Sequence, residues 1–346
     1  MNPPIIARNM GFALLLAGGG WLFPAAAHAA DAAFCADGSA VYATCNDENT
    51  LERICEEEGT LTQVHVSLGG RQGCFQGIAR SDQGGFFLVT ERRIWHWKPG
   101  DKAAVFVKLA PKGITFSDIA CNPKNGMLLI FGSAKKTAGR YGVDLLYCMK
   151  DKNALLTPIW LRHLTQPVVC AEFLTDNSLL FGTEGDLWHG VLCIEPPDKE
   201  RPEGQGELVA YRYAPVAERF NYNGTPEQRG VEAVAASGGK AYVAIKRMGG
   251  SGETSVTRLD LPEPSKDGMF RTRNTVEDSI RVLKSVEQID GNDGSASSLC
   301  ASSDGKQVYY TDSSRPNRTH YLCEDDGETR PFRAKHMPVA ADGDKK

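Results

Sequence analysis

The chain has 346 residues, with 39 Lys and Arg against 43 Asp and Glu, a formal net charge of −4, and 41% hydrophobic residues. That balance supplies no basic footprint for nucleic acid and no polybasic patch for a membrane surface. Beyond residue 30, charges and glycines break every apolar run, so none offers the ~20 apolar residues a membrane span needs.

Residues 1–30 read as a signal peptide. Arg8 leads into an apolar run from Met10 to Phe23, Pro24 ends it, and Ala27-His28-Ala29 has the small-x-small pattern of a cleavage site. The mature chain is expected to begin at Ala30 or Asp31, in the periplasm or outside the cell, with no transmembrane anchor after processing. Cys35, behind Asp31-Ala32-Ala33-Phe34, lies outside any lipoprotein box.

From there a degenerate unit recurs: a short apolar strand, a polar turn, a second apolar strand, then a third. The first copy runs from Phe34 through Asp37-Gly38-Ser39, Ala40 to Thr44 and Leu51 to Cys55. The second opens at Gly77, turns at Asp82-Gln83-Gly84-Gly85, and continues through Phe86 to Thr90 and Arg93 to Trp97. The third opens at Asp118, turns at Lys124-Asn125-Gly126, and has Met127 to Gly132 and Val143 to Cys148. The fourth opens near Val169 and has Leu179 to Thr183 and Asp186 to Cys193. The fifth opens at Gly230 and has Ala241 to Lys246 and Ser255 to Leu261. The last opens near Ser297 and has Gln307 to Thr311 and Thr319 to Cys323. Val, Ile, Leu, Phe and Tyr fill the strands, and Asp-Gly, Asn-Gly and Gly-Gly turns are hairpin chemistry. One such unit cannot bury both of its faces, whereas units stacked around an axis cover one another. The expected fold is all-β, a six-bladed β-propeller forming a single closed domain over residues 31–332, with a polar tail at 333–346. A double β-sandwich is the rival architecture.

All ten cysteines follow the leader: Cys35, Cys45, Cys55, Cys74, Cys121, Cys148, Cys170, Cys193, Cys300 and Cys323. An even count in an exported chain points to disulfides. Metal sites want close pairs such as C-x-x-C, and the nearest cysteines here are ten residues apart. Equivalent positions suggest bonds 170–193 and 300–323, then 121–148, then 35–55 with 45–74. A strand lies between the first-strand and third-strand cysteines of one copy, and two strand spacings of roughly 9.5 Å exceed the ~7 Å reach of a disulfide. Such bonds therefore require a cysteine beyond its strand end; otherwise they link neighbouring units.

Gly230-Val231-Glu232-Ala233-Val234-Ala235, followed by Gly239-Lys240-Ala241-Tyr242-Val243-Ala244, resembles bacterial six-bladed propellers of the phytase-like, gluconolactonase-like and NHL-type families. There a glycine, an acidic residue and small residues open the blade. The resemblance covers one unit closely and the others as a pattern, and it carries over Glu232. It implies the propeller fold and, for a lactonase or esterase, a calcium cofactor.

First strands of a propeller line its central channel, which puts Asp118, Cys170, Glu232 and Ser298 at positions like that of Gly77. Asp118 and Glu232 are the candidate binding residues, either as an oxygen-rich cation site or as groups held by channel waters and backbone amides. His65, His96, His163 and His189 read as packing residues. No G-x-S-x-G elbow is present, and Gly249-Gly250-Ser251-Gly252 lacks a P-loop lysine. Two functions stand ahead of a third, a secreted propeller that binds sugar or cell-wall polymer with exposed Trp and Tyr as stacking platforms. One is a non-enzymatic module that binds a protein partner in the cell envelope through its loops at 194–207 and 214–230, with no cofactor. The other is a metal-dependent hydrolase of lactonase or esterase type at the channel. Three or more converging carboxylates or amides at the channel would favour the hydrolase.

Overall fold

A computed structural model of the chain describes residues 31–45, 47–55, 59–122, 124–134, 144–150, 154–161, 168–174, 178–183, 187–195, 204–213, 229–237, 240–247, 254–260, 280–281, 285–292, 296–312, 319–324 and 332–333. Every regular element among them is a strand. The first sheet is a meander of β1 (Ala32–Phe34), β2 (Val41–Thr44), β3 (Thr50–Cys55) and β4 (Thr60–His65). The second follows the same order with β5 (Gly77–Arg80), β6 (Phe86–Thr90), β7 (Arg93–Trp97) and β8 (Val105–Leu109).

The next two meanders are β9 (Ile114–Cys121), β10 (Leu128–Ala134), β11 (Asp144–Met149) and β12 (Thr157–Leu161), then β13 (Val168–Phe173), β14 (Ser178–Thr183), β15 (Leu187–Glu195) and β16 (Gln205–Tyr213). They merge, because β12 and β16 pair in parallel through Ile159 with Gly206, Trp160 with Glu207 and Leu161 with Leu208. Glycine makes this approach possible: a Cβ on Gly206 would stand 2.9 Å from Ile159 Cγ1. The last two sheets are β17 (Arg229–Ser237), β18 (Lys240–Arg247), β19 (Thr254–Asp260) with β21 (Ser285–Asn292), and β22 (Ala296–Ala301), β23 (Gln307–Asp312), β24 (Thr319–Glu324) with β25 (Phe332–Arg333). The short β20 (Ile280–Arg281) joins β16 and completes a nine-stranded sheet.

Alternating side chains send each meander's apolar residues to both faces, and each face meets the next sheet in sequence. Tyr42 and Leu51 of the first sheet pack on Phe86, Leu88 and Trp97 of the second. Phe87, Val89 and Ile94 meet Ile119, Leu128 and Ile130, and Leu129 and Phe131 meet Leu179 and Phe181. Leu180 and Leu187 meet Val231 and Val243, and Tyr242 and Val256 meet Leu299 and Tyr310. Tyr309 then packs on Phe34, Val41 and Ile54, returning the series to the first sheet. The opening strands follow suit: β1 lies beside β5, β5 beside β9, β9 beside β13, β13 beside β17, β17 beside β22, and β22 beside β1.

No disulfide is present among the nine described cysteines, and the register corrects three of the pairings expected from spacing. Cys170 lies opposite Gly182, whereas Cys193 lies two residues past the Val191–Ser178 pair. Six residue rises, about 20 Å, therefore separate them along the strands. Cys121 packs with Leu128 and Met149 on one face of its sheet, and Cys148 packs with Leu129 and Phe131 on the other. Cys300 pairs with Tyr309 and Cys323 with Val308, which leaves them one step out of line with β23 between them. Equivalent place in a repeat is not proximity, because the middle strand always intervenes.

Candidate functional site

Each opening strand enters its turn in a similar way. The backbone bonds Cys35 N–H to Ala40 O, Ser81 N–H to Gly85 O, Asn122 N–H to Met127 O, Leu174 N–H to Ser178 O and Ser302 N–H to Gln307 O mark equivalent places. Four residues before these places stand Asp31, Gly77, Asp118, Cys170 and Ser298, joined in β17 by Ala233 opposite Ala244. β9, β13, β17 and β22 each carry a β-bulge at this level. In β17 the extra residue is Glu232, so the bulge puts Ala233 where the sequence placed Glu232. A one-residue insertion of this kind re-aims a side chain without interrupting the strand.

Three carboxyl groups, one just before β1 and the others in β9 and β13, act on one another here. Asp31 Oδ1 accepts from Ala32 N–H at 2.8 Å, and Oδ2 accepts from Ile78 N–H at 2.7 Å, tying the first sheet to the second. Asp118 Oδ1 accepts from Ile119 N–H at 2.7 Å, and Glu172 Oε1 from Phe173 N–H at 3.0 Å. Asp31 and Asp118 also hydrogen-bond to each other. Gly77 makes room for the pair: a Cβ there would lie 2.7 Å from Asp118 Oδ1 and 2.9 Å from its Cα. All three acids are half-buried.

Burial raises all three. It pushes Asp31 up to about 7, against the pull of the Ile78 and Ala32 amides. It holds Asp118 well above the carboxylate range, helped by the Asp31 charge. It lifts Glu172 to about 8, with Asp31 adding to the rise and Arg80 opposing it. Like charges this close favour a retained proton, held between Asp31 and Asp118. Cys170 and Cys300 stand in the same field, and burial, then carboxylates, keeps both as thiols.

Asp118, a candidate from the sequence, stands with Asp31 and Glu172 in this acidic group. Glu232 is the bulged residue of β17, and its charge acts on Cys170 together with those of Asp118 and Asp31. Asp31 and Glu172 were missed. Counting four residues back from each turn finds Asp31, and same-face alternation from Cys170 finds Glu172. Among the histidines, His96 Nε2 lies 3.1 Å from Gly84 O with its ring on Phe87. His189 is buried and hydrogen-bonded to Ser178. Both are packed as expected, whereas His65, at the end of the edge strand β4, is exposed, and His163 lies outside the described residues.

Although three acids converge, among the described residues no group of three His, Cys, Asp or Glu is gathered closely enough to hold a metal ion. The oxygens are turned to backbone amides and to one another instead. As they stand, these side chains do not fit a calcium ion, which takes six to eight oxygen ligands at 2.3–2.6 Å. Among the described residues no helix is long and apolar enough to cross a membrane.

A second feature lies at the rim. β8 is the outer edge of its sheet, yet Val105 is 63% exposed, Phe106 51% and Leu109 49%. Phe106 packs edge-on against Trp95 at 5.8 Å. By contrast β4, the matching edge of the first sheet, reads Thr-Leu-Thr-Gln-Val-His, and β12 and β16 cover each other.

No protein-family model and no curated protein matches the chain. Solved structures do. A luciferin-regenerating enzyme is 11% identical with a TM-score of 0.52, over 87% of this chain and 92% of that one. A structural-genomics target assigned as a gluconolactonase is 14% identical with a TM-score of 0.51, over 91% of this chain and 96% of that one. Regucalcin from Agrobacterium tumefaciens, a calcium-binding protein, is 13% identical with a TM-score of 0.49, over 83% of each chain. At such identities the likeness is one of fold, and the fold is that of a β-propeller.

Proposed function

We propose that the chain is exported, that its sheets form one closed six-bladed propeller, and that it works as a non-enzymatic protein-binding module of the cell envelope. The apolar outer strand β8 carries this reading. An exposed, hydrophobic sheet edge is a template for another strand, and soluble proteins blunt such edges unless a partner covers them. Val105, Phe106 and Leu109 offer apolar contacts along a strand edge that no other described strand pairs, which suits an extended segment of a partner added as a fifth strand. The loops first expected to hold the partner fall largely outside the described residues, and β8 takes their place in the proposal.

The test compares the mature protein with a Val105→Lys, Phe106→Asp variant as bait in intact cell envelopes, with captured proteins identified by mass spectrometry. A partner whose recovery falls about tenfold with the variant, at an unchanged Tm, supports the reading. Equal recovery by both baits contradicts it.

The metal-dependent lactonase or esterase is the second reading, and the three converging carboxyl groups are the observation that favours it. Their bonding to amides and to each other weighs against a resident cation. Calcium addition separates the two readings.

A further inference from the structure

The geometry points to a disulfide between Cys45 and Cys74, stapling the first sheet to the segment that opens the second. Cys45 and Gly73, the residue before Cys74, both meet the dipeptide Asn49-Thr50. Thr44 pairs with Leu51 at the end of β2, so the next residue, Cys45, comes level with Thr50, and its Sγ donates to Thr50 O at 3.3 Å. From the other side, Asn49 N–H donates to Gly73 O at 3.0 Å and Asn49 Nδ2–H to Arg71 O at 2.9 Å. The Gly73 carbonyl belongs to the peptide unit that carries the Cys74 amide. Asn49 itself turns the chain with a φ of 56°, which presents its amide to residues 71–73.

The remaining cysteines of this region are placed elsewhere. Cys35 accepts from Ala40 N–H at 3.1 Å, and Ala40 precedes Val41, the partner of Ile54. That puts Cys35 and Cys55 at the Val41 end of the sheet and Cys45 at the Thr44 end, some 15 Å away by strand rise. The four cysteines thus divide by position into 35 with 55 and 45 with 74, and a crossed pairing would have to span the sheet.

Forming the bond takes two protons and two electrons from the thiols, so an oxidant of the disulfide class is required. The half-buried Cys74 thiolate attacks a donor disulfide and releases one donor thiol. Cys45, which is buried, then displaces the second donor thiol as the internal bond forms. Burial first, and then Glu48, Asp47 and Glu91, raise the Cys74 thiol above its ordinary range, so closure should quicken at alkaline pH.

The experiment incubates purified protein with oxidised glutathione at pH 8, alkylates it, and digests it with trypsin and an Asp-specific protease. Cleavage at Arg71, Arg80, Asp37 and Asp47 leaves Cys45 alone in fragment 37–46 and Cys74 alone in 72–80. The expected result is these two fragments joined without reductant and separate with it. Cys45→Ala, Cys74→Ser and the double variant should each lose the same roughly 5 °C of Tm, the value wild type reaches with reductant. Persistent glutathione caps on either cysteine, alkylation of both, or Cys74 joined to Cys35 or Cys55 would overturn the assignment. Because the oxidant is supplied, the outcome is independent of whether the chain is exported.

Discussion

Raising the pH from 5 to 8 is expected to destabilise the protein, by on the order of 2 kcal/mol after allowance for partial exposure. The sign follows from three acids that hold their protons in the fold. Asp31 is raised to about 7 and Glu172 to about 8, and Asp118 is raised with them. Unfolded, these groups give up their protons near pH 4. Between about pH 4 and pH 8 the native chain therefore binds more protons than the unfolded chain, and stability declines as pH rises through that window. Asp37, held to about 2 first by the Cys35 thiol, has the opposite sense, but it titrates below the window. Asp118→Asn keeps a donor toward Asp31 and removes the competing charge. The variant should show a shallower pH slope and a Tm above wild type at pH 8. Stability that is flat or rising between pH 5 and 8 would mean that the three acids do not share one enclosed space.

Gly77→Ala carries the largest expected loss, about 2–3 kcal/mol. The added methyl carbon would fall 2.9 Å from Asp118 Cα and 3.0 Å from Ile119 N, in addition to the carboxyl oxygen at 2.7 Å. Backbone cannot swing aside as a side chain can, so β5 and β9 must separate, and the Asp31 bond to Ile78 N–H must stretch with them. For a chain of this size a Tm drop of roughly 5 °C follows. Asp118→Ala should restore little of it, since two of the three close contacts are backbone. A loss below about 0.5 kcal/mol by thermal unfolding, or full rescue by Asp118→Ala, would show that the opening strands are not packed so closely.

Much of the repeat was legible because hairpin chemistry is local. Phe86–Thr90, Arg93–Trp97 and Leu179–Thr183 were read as strands, and the structure has β6, β7 and the body of β14 there. Two of the fourth strands escaped notice: β4 is mostly polar, and β8 shows its apolar residues to solvent rather than to a core. The fusion of β12 with β16 depends on a parallel contact between segments separated by more than forty residues, which no local pattern announces. Asp118 stood out because it opens its copy at the position equivalent to Gly77. Asp31 was taken only as part of a processing junction, and Glu172 was overlooked beside Cys170. The bulge that displaces Glu232 leaves no mark in strict alternation, since an extra residue inverts the pattern without changing composition.

The choice between a binding module and a metal-dependent hydrolase turns on whether the channel acids are structural or await a cation. The direct measurement is thermal unfolding at pH 8 with millimolar calcium against a chelator, at matched ionic strength. With Asp31, Asp118 and Glu172 engaged by amides and by one another, the expected result is the same Tm in both. A saturable rise in Tm with calcium, lost in Asp118→Asn, would contradict the binding-module reading and place the working site in the channel.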